Sequence, residues 1–249
     1  RRERRAGMRL IRSILFVIWL YASMAVVGLS LWPFVLMDDR YVWTALRSWG
    51  RATLWGLRWI IGARVSFEGL EHVPQGGALI AMKHQSMLDT IVPALFLPRP
   101  VYVFKKELGD TPVMGAYLKK NQIGVDRSGH AKALKSLVRG AREAVARGGQ
   151  VLIFPEGTRQ EIDAAPDYKP GIAAMYKDLN LPVTPVALNT GLIWKPKGIM
   201  RSPGHVTFKV LPPIRAGLPR EEFMRELERV LETQSQALLP ADKRRTVAP

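Results

Sequence analysis

Between Arg12 and Asp38 the chain runs for 25 residues, Ser13 to Met37, without a charged side chain. A helix of that length crosses the hydrocarbon core of a bilayer, so the run demands a lipid environment or a large covering surface. Pro33 interrupts its end, and Asp38-Asp39-Arg40 follows as a polar turn. Tyr41 to Ile61 then reads as a second helix, on which Arg47, Arg51 and Arg58 fall within about 40° of one another. Trp, Leu, Ile, Val and Ala fill much of the rest of its circumference. A basic face ringed by tryptophans describes a helix lying at a lipid headgroup layer.

Charge supports the same reading. Residues 1–64 hold 11 Lys/Arg and 3 Asp/Glu, which is +8 of the whole chain's +16, and six of the seven tryptophans. Nucleic acid is rejected as a partner, because it would need aromatic residues interleaved with basic ones on a folded platform. Arg1 to Arg12 before an apolar run also imitates a signal peptide. The run is too long for one, and Ala22-Ser23-Met24-Ala25 lies in its middle. Arg1 in place of Met points to a fragment or processed chain, with Met8 an alternative natural start.

Two topology rules collide here. The arginines before Ser13 place the N-terminus in the cytoplasm, and a single crossing would carry the rest of the chain to the far side. Two crossings would put three arginines in the membrane, each costing about 2.5–3.5 kcal/mol near its centre. We expect instead a two-helix motif embedded in the cytoplasmic leaflet without spanning it.

Beyond residue 64, apolar runs of strand length alternate with helical stretches such as 131–147, the pattern of an α/β domain whose sites lie at strand ends. Gly77 to Met82 reads as a buried strand, and Lys83-His84-Gln85-Ser86-Met87-Leu88-Asp89 follows it. An imidazole suits proton removal from an alcohol near neutral pH, and a carboxylate holds its tautomer and stabilises its cation. Five residues along a helix is about 500°, so His84 and Asp89 meet only if His84 sits on the turn and Asp89 in the first helical turn. Ser86 is a poor nucleophile for this base, being only two residues away. His72, His130 and His205 lack comparable context.

A second strand candidate ends in Phe154-Pro155-Glu156-Gly157-Thr158-Arg159, a tight turn presenting an acid and a guanidinium. Arg supplies a planar fork for phosphate, and Gly permits close backbone approach. A third segment, Lys105-x2-Leu108-x6-Gly115-x11-Asp126-Arg127, adds cations. The fourth, Leu181 to Leu188, is a proline-bounded strand. His205 to Val210 is the last strand candidate, and Glu221 to Leu239 reads as an amphipathic helix with Phe223, Leu227, Val230 and Leu231 inward.

In these four segments the chain resembles the glycerolipid acyltransferases, in particular the bacterial 1-acyl-glycerol-3-phosphate acyltransferases. His84 and Asp89 match the H-x4-D motif. Lys105, Leu108, Gly115 and Arg127 fall on the second motif, Phe154 to Arg159 on the third and Pro185 on the fourth, within roughly residues 65–215. Lys83 departs from the pattern, since many members carry Asn there.

The resemblance implies an α/β fold with a mixed, largely parallel sheet flanked by helices. Residues 1–64 would form the two-helix membrane-embedded anchor, 65–239 the catalytic domain and 240–249 a disordered tail. It implies a transferase of phospholipid biosynthesis at the cytoplasmic face of the inner membrane. The acyl donor would be acyl-CoA or acyl-carrier protein, and the acceptor lysophosphatidic acid. His84 would be the general base and Asp89 its partner, with backbone N–H groups near His84 offered as an oxyanion hole. Lys105, Arg127 and Arg159 would cradle the acceptor phosphate, with Gly157 in the same turn and Glu156 positioning the acceptor or Arg159. An activated thioester needs no cofactor and no metal, and the chain's lack of cysteine excludes a thiol nucleophile. Other readings stay open at this point. They are an acyltransferase for lyso-ornithine lipid or another lysophospholipid, and a non-catalytic adaptor binding anionic lipid.

Overall fold

The computed structural model describes residues 2–38, 40–105, 107, 110, 114–120, 122–125 and 130–244. The uncharged run folds as one helix, α1 (Arg2–Met37), which continues through Pro33 instead of stopping there. Proline deletes only the bond to the Leu29 carbonyl. The next turn closes through the Asp38 N–H on the Phe34 carbonyl at 2.9 Å. One side of α1 is core, with Phe16 and Leu20 fully buried; on the other, Ile11, Ile18, Val26 and Leu36 are 60–65% exposed. An apolar face of that length, over 32 residues from Ala6 to Met37, suggests a membrane anchor.

Helix α2 (Arg40–Gly56) continues as a π-helical turn, Leu57–Ile61, which Gly62 ends at φ 82° with its N–H on the Leu57 carbonyl. Gly56 is required by the packing, because a Cβ there would lie 2.4 Å from the Trp19 ring. The structure corrects the headgroup reading of this segment in two respects. Trp19 donates to the Ala52 carbonyl at 2.8 Å, Trp49 to that of Leu20 at 3.1 Å and Trp43 to that of Pro100 at 3.3 Å. Arg47 donates to the carbonyls of Ala94 and Pro98, so it fastens α2 to the segment 94–98 that precedes β3. Arg51, Arg58, Trp55 and Trp59 are the members of the face left exposed. Wheel angles alone cannot distinguish a face turned to lipid from one turned to a carbonyl-rich loop.

Seven strands are described: β1 (Ala63–Glu68), β2 (Ala78–Met82), β3 (Pro100–Lys105), β4 (Ile123–Val125), β5 (Gln150–Ile153), β6 (Val183–Leu188) and β7 (Gly204–Val210). They form one sheet in the order β1-β7-β6-β2-β5-β3-β4. Every adjacent pair is parallel except β6 and β7, so the sheet is mixed and largely parallel. Central β2 is buried throughout, as a strand covered on both faces must be. Its residues divide by alternation. Ile80 and Met82 join the core layer containing Phe16, Leu20, Leu57 and Phe208, whereas Leu79 and Ala81 join the layer containing Ile172, Phe223 and Leu227. The sheet thus separates the N-terminal helices from α5 (His130–Ala146), α6 (Gly171–Leu179) and α7 (Arg220–Ala237).

β6, readable as an edge strand, is interior. Pro185 is tolerated because pairing with β7 begins only at Val186, and its carbonyl accepts the Leu211 N–H at 2.9 Å. On α7, Phe223, Leu227 and Leu231 are fully buried and Val230 only partly. In the tail, Ala241–Lys243 makes a 3-10 turn and Arg244 Nε donates to the Leu239 carbonyl at 2.8 Å; residues 245–249 lie outside the described ones.

Candidate active site

Parallel strands send their carboxyl ends to one edge, and four segments leave the sheet there. His84 follows β2, Glu156 follows β5, Thr190 follows β6 and Lys105 closes β3. The turn 83–87 leads into α3 (Leu88–Ile91), so Asp89 lies in the first helical turn and its side chain folds back over the loop.

Asp89 is fully buried and accepts from five groups. Oδ2 receives the N–H of Gln85 at 2.6 Å, that of Ser86 at 2.7 Å and the His84 Nδ1 at 3.2 Å. Oδ1 receives the hydroxyls of Ser86 at 3.0 Å and Thr190 at 2.6 Å. With five donors turned on it, Asp89 acts as acceptor, so the imidazole proton between the two side chains sits on Nδ1. Nε2 is then the basic atom. The ring stacks on Phe154 at 3.9 Å between centroids, and its side chain retains 13% exposure, which leaves a path to one edge. Ser86 is committed, since its Oγ donates to Asp89 and accepts the Leu88 N–H at 3.1 Å.

The backbone side of His84 is held differently. Its N–H donates to Glu156 Oε2 at 2.8 Å, and its carbonyl accepts the Gln160 N–H at 2.8 Å. Glu156 is 1% exposed, and its Oε1 takes Lys83 Nζ at 2.5 Å. Lys83 also reaches Glu232 Oε1 on α7 at 2.6 Å, where the Tyr168 hydroxyl donates at 3.0 Å. Burial pushes the Glu156 carboxyl up from its ordinary value, against the opposing pull of Lys83 and the His84 N–H. Tyr168 is pushed well up, chiefly by burial and then by Glu232 and Glu156. The side chain of Glu156 faces the core, where its partners are Lys83 and the His84 N–H. Lys83, read as a departure from the motif, is the cation that makes this burial tolerable.

Six backbone donors near His84 are already committed. The His84 N–H goes to Glu156, and those of Gln85, Ser86, Leu88, Asp89 and Thr90 are engaged within the turn and the start of α3. Gly157 has φ 69°, so glycine is needed there for the left-handed turn. Arg159, two residues on, is exposed. The side chain of Lys105, and Arg127 entirely, lie outside the described residues.

Sequence reasoning missed Thr190, Lys83, Glu232 and Arg201. Arg201 is buried over the Trp194 ring, 4.1 Å from its centroid, and donates to the carbonyls of Gly198 and Met200. Burial lowers its pKa to about 10, with nearby Tyr21 raising it and Arg159 lowering it further. None of the four carries a spacing signal, because their partners are 73 to 149 residues away or lie in an irregular loop.

Known proteins resemble this chain in sequence and in fold. Residues 64–189 match the acyltransferase family model. The 1-acyl-sn-glycerol-3-phosphate acyltransferase of Pseudomonas aeruginosa is 34% identical over 210 residues, 83% of this chain and 81% of that protein. A protein of the same name from Cocos nucifera is 28% identical over 83% of this chain and 65% of its own length. The crystal structure of the 1-acyl-sn-glycerophosphate (LPA) acyltransferase from Thermotoga maritima superposes with a TM-score of 0.77, covering 96% of this chain and 100% of that one. At 23% identity, that likeness is one of fold. On the family match and the P. aeruginosa relative together, this chain belongs to the acyltransferase family.

Proposed function

We propose that the protein transfers a fatty acyl group from a thioester, acyl-CoA or acyl-carrier protein, to the free glycerol hydroxyl of 1-acyl-glycerol-3-phosphate, giving phosphatidic acid. The observation that carries this reading is the His84–Asp89 pair, whose geometry leaves Nε2 as a free base. The names of the relatives supply the acceptor and the acyl chemistry. His84 Nε2 takes the acceptor O–H proton as the alcohol oxygen attacks the thioester carbonyl carbon. Collapse of the tetrahedral adduct breaks the C–S bond, and the imidazolium returns the proton to the departing sulfur. Asp89 stabilises the imidazolium between these steps. No acyl-enzyme is required, since the donor is already activated.

Arg159, with Lys105 and Arg127, is assigned to the acceptor phosphate. Gly157 shapes the turn that carries Arg159, and Glu156 acts on the His84 backbone. The exposed face of α1 seats the chain on the cytoplasmic leaflet of the inner membrane, where the acceptor enters from lipid and the donor from the cytosol. The reaction is tested by thiol release from either donor, with and without lysophosphatidic acid and with a panel of other lysolipids. His84→Ala should cut acceptor-dependent release by about 10²–10⁴-fold with an unchanged melting temperature. Full activity in that variant would overturn the mechanism. A cysteine placed at Asp38, in a chain that has none, reports topology. Its labelling by an impermeant reagent from outside intact cells would demand a spanning hairpin.

A further inference from the structure

Helix α5 carries a basic stripe that the reaction as written does not use. Lys132, Lys135, Arg139 and Arg142 are all exposed. At 100° per residue they fall within about 80° of one another along three helical turns, roughly 15 Å. Arg142 is paired with Asp178 at 2.7 Å. Lys132, Lys135 and Arg139 have no ion pair among the described residues, and Glu143 is the one acid within α5 itself. Beside the stripe, a shallow cleft between α5 and edge strand β4 is lined by Gln122, Ser136, Arg139, Glu143 and Arg147.

Place in the fold distinguishes this surface from the lipid-facing one. The buried side of α5, through Leu137, Ala141 and Ala144, packs in the core layer with Ile172 and Phe223. Phe16, Leu20 and Leu57 of the N-terminal helices belong to the layer on the opposite face of the sheet. The stripe therefore faces away from the apolar side of α1. It also starts beyond the carboxyl end of β4, the same edge that holds His84. A row of cations 15 Å long is more than one phosphate group can engage, and it matches an acidic face of a folded protein.

We infer that the exposed basic face of α5 docks an acidic carrier protein that delivers the acyl thioester. This rests on the acyl-transfer reading above and decides between its two donors in favour of the carrier-bound thioester. Lys132, Lys135 and Arg139 act in encounter and register, and no bond is made or broken by them.

The test compares acyl-carrier protein and acyl-CoA of one chain length as donors to lysophosphatidic acid, using the full chain in vesicles. Charge reversal at all three positions, Lys132→Glu, Lys135→Glu and Arg139→Glu, should raise the KM for the carrier-protein donor about tenfold or more and flatten its salt dependence. The KM for acyl-CoA should stay within about twofold, which also shows the variant to be folded, because the phosphates of CoA cluster at its nucleotide end and match only part of the stripe. If the triple variant fails with both donors, the paired truncation Lys135→Ala with Arg139→Ala is read instead, with the same split expected in smaller size. Equal effects on both donors, no effect on either, or a wild type that accepts only acyl-CoA would overturn the inference while leaving acyl transfer intact. Weakened binding to anionic-lipid vesicles with an unchanged carrier-protein KM would reassign the stripe to the membrane. A wild type that releases no thiol from any thioester refutes the acyl-transfer reading itself, an outcome distinct from all of these.

Discussion

Two buried carboxylates hold His84 from opposite sides, and they are kept buried by different means. Asp89, on the ring side, is reached by two backbone N–H groups, two hydroxyls and the imidazole, four of them from within its own turn or from His84. Four of these five donors are uncharged backbone or hydroxyl groups. Glu156, on the backbone side, relies on one N–H and on a lysine that it shares with Glu232. That arrangement leaves two acids for one cation in the core, and burial raises the Glu156 pKa accordingly. The contrast shows what each side is suited to. The ring-side carboxylate is surrounded by fixed donors, whereas the one that anchors the backbone shares its lysine with a second acid.

The largest test removes the charge on the ring side. Asp89→Asn keeps the shape but puts an amide where two N–H groups and an imidazole now donate. The turnover number should fall by about 10²–10⁴-fold, as expected when the tautomer and its electrostatic support are lost. A loss below tenfold in steady-state kinetics would show that His84 is oriented by something else.

A smaller effect separates the two depths of the Pro155–Arg159 turn, where Glu156 is buried and Arg159 exposed. Arg159→Ala should raise the acceptor KM roughly 10- to 100-fold while sparing kcat, the cost of one charged contact to phosphate. An unchanged KM for lysophosphatidic acid, together with poorer use of an acceptor lacking phosphate, would sink the assignment.

The smallest concerns pH. Glu156 has a folded pKa above its ordinary 4.5, so the folded state binds more protons than the unfolded one in that window. Its contribution to stability is present in full below 4.5 and is lost as pH rises through the raised value. Wild type should therefore lose stability relative to Glu156→Gln as pH climbs above 4.5, in thermal melts run across the range. Parallel curves for the two proteins would mean that Lys83 already keeps Glu156 fully ionised.

The His84–Asp89 pairing was legible because it is local: five residues, a strand before them and a helix after. Phe154 to Arg159 was legible as a turn for the same reason, and so was the inward face of α7 at Phe223, Leu227 and Leu231. What each side chain of the Pro155–Arg159 turn does was not. Glu156 and Arg159 look alike as charges in a turn, yet one faces Lys83 and the other solvent.

Sequence by itself determined the alternating α/β pattern, the long apolar N-terminal helix and the pairing of His84 with Asp89. Each follows from periodicity or from contacts within one turn, which a linear pattern records. Only the tertiary structure decided that Lys83 joins Glu156 and Glu232, and that Thr190 completes the shell of Asp89. It also decided that Arg47 and three tryptophans serve the interior, and that α5 turns its cations away from the anchor. Those outcomes depend on which strand ends are neighbours and which sheet face a helix covers. Burial then sets whether a given charge is paired or free, and a side chain's type alone does not encode that.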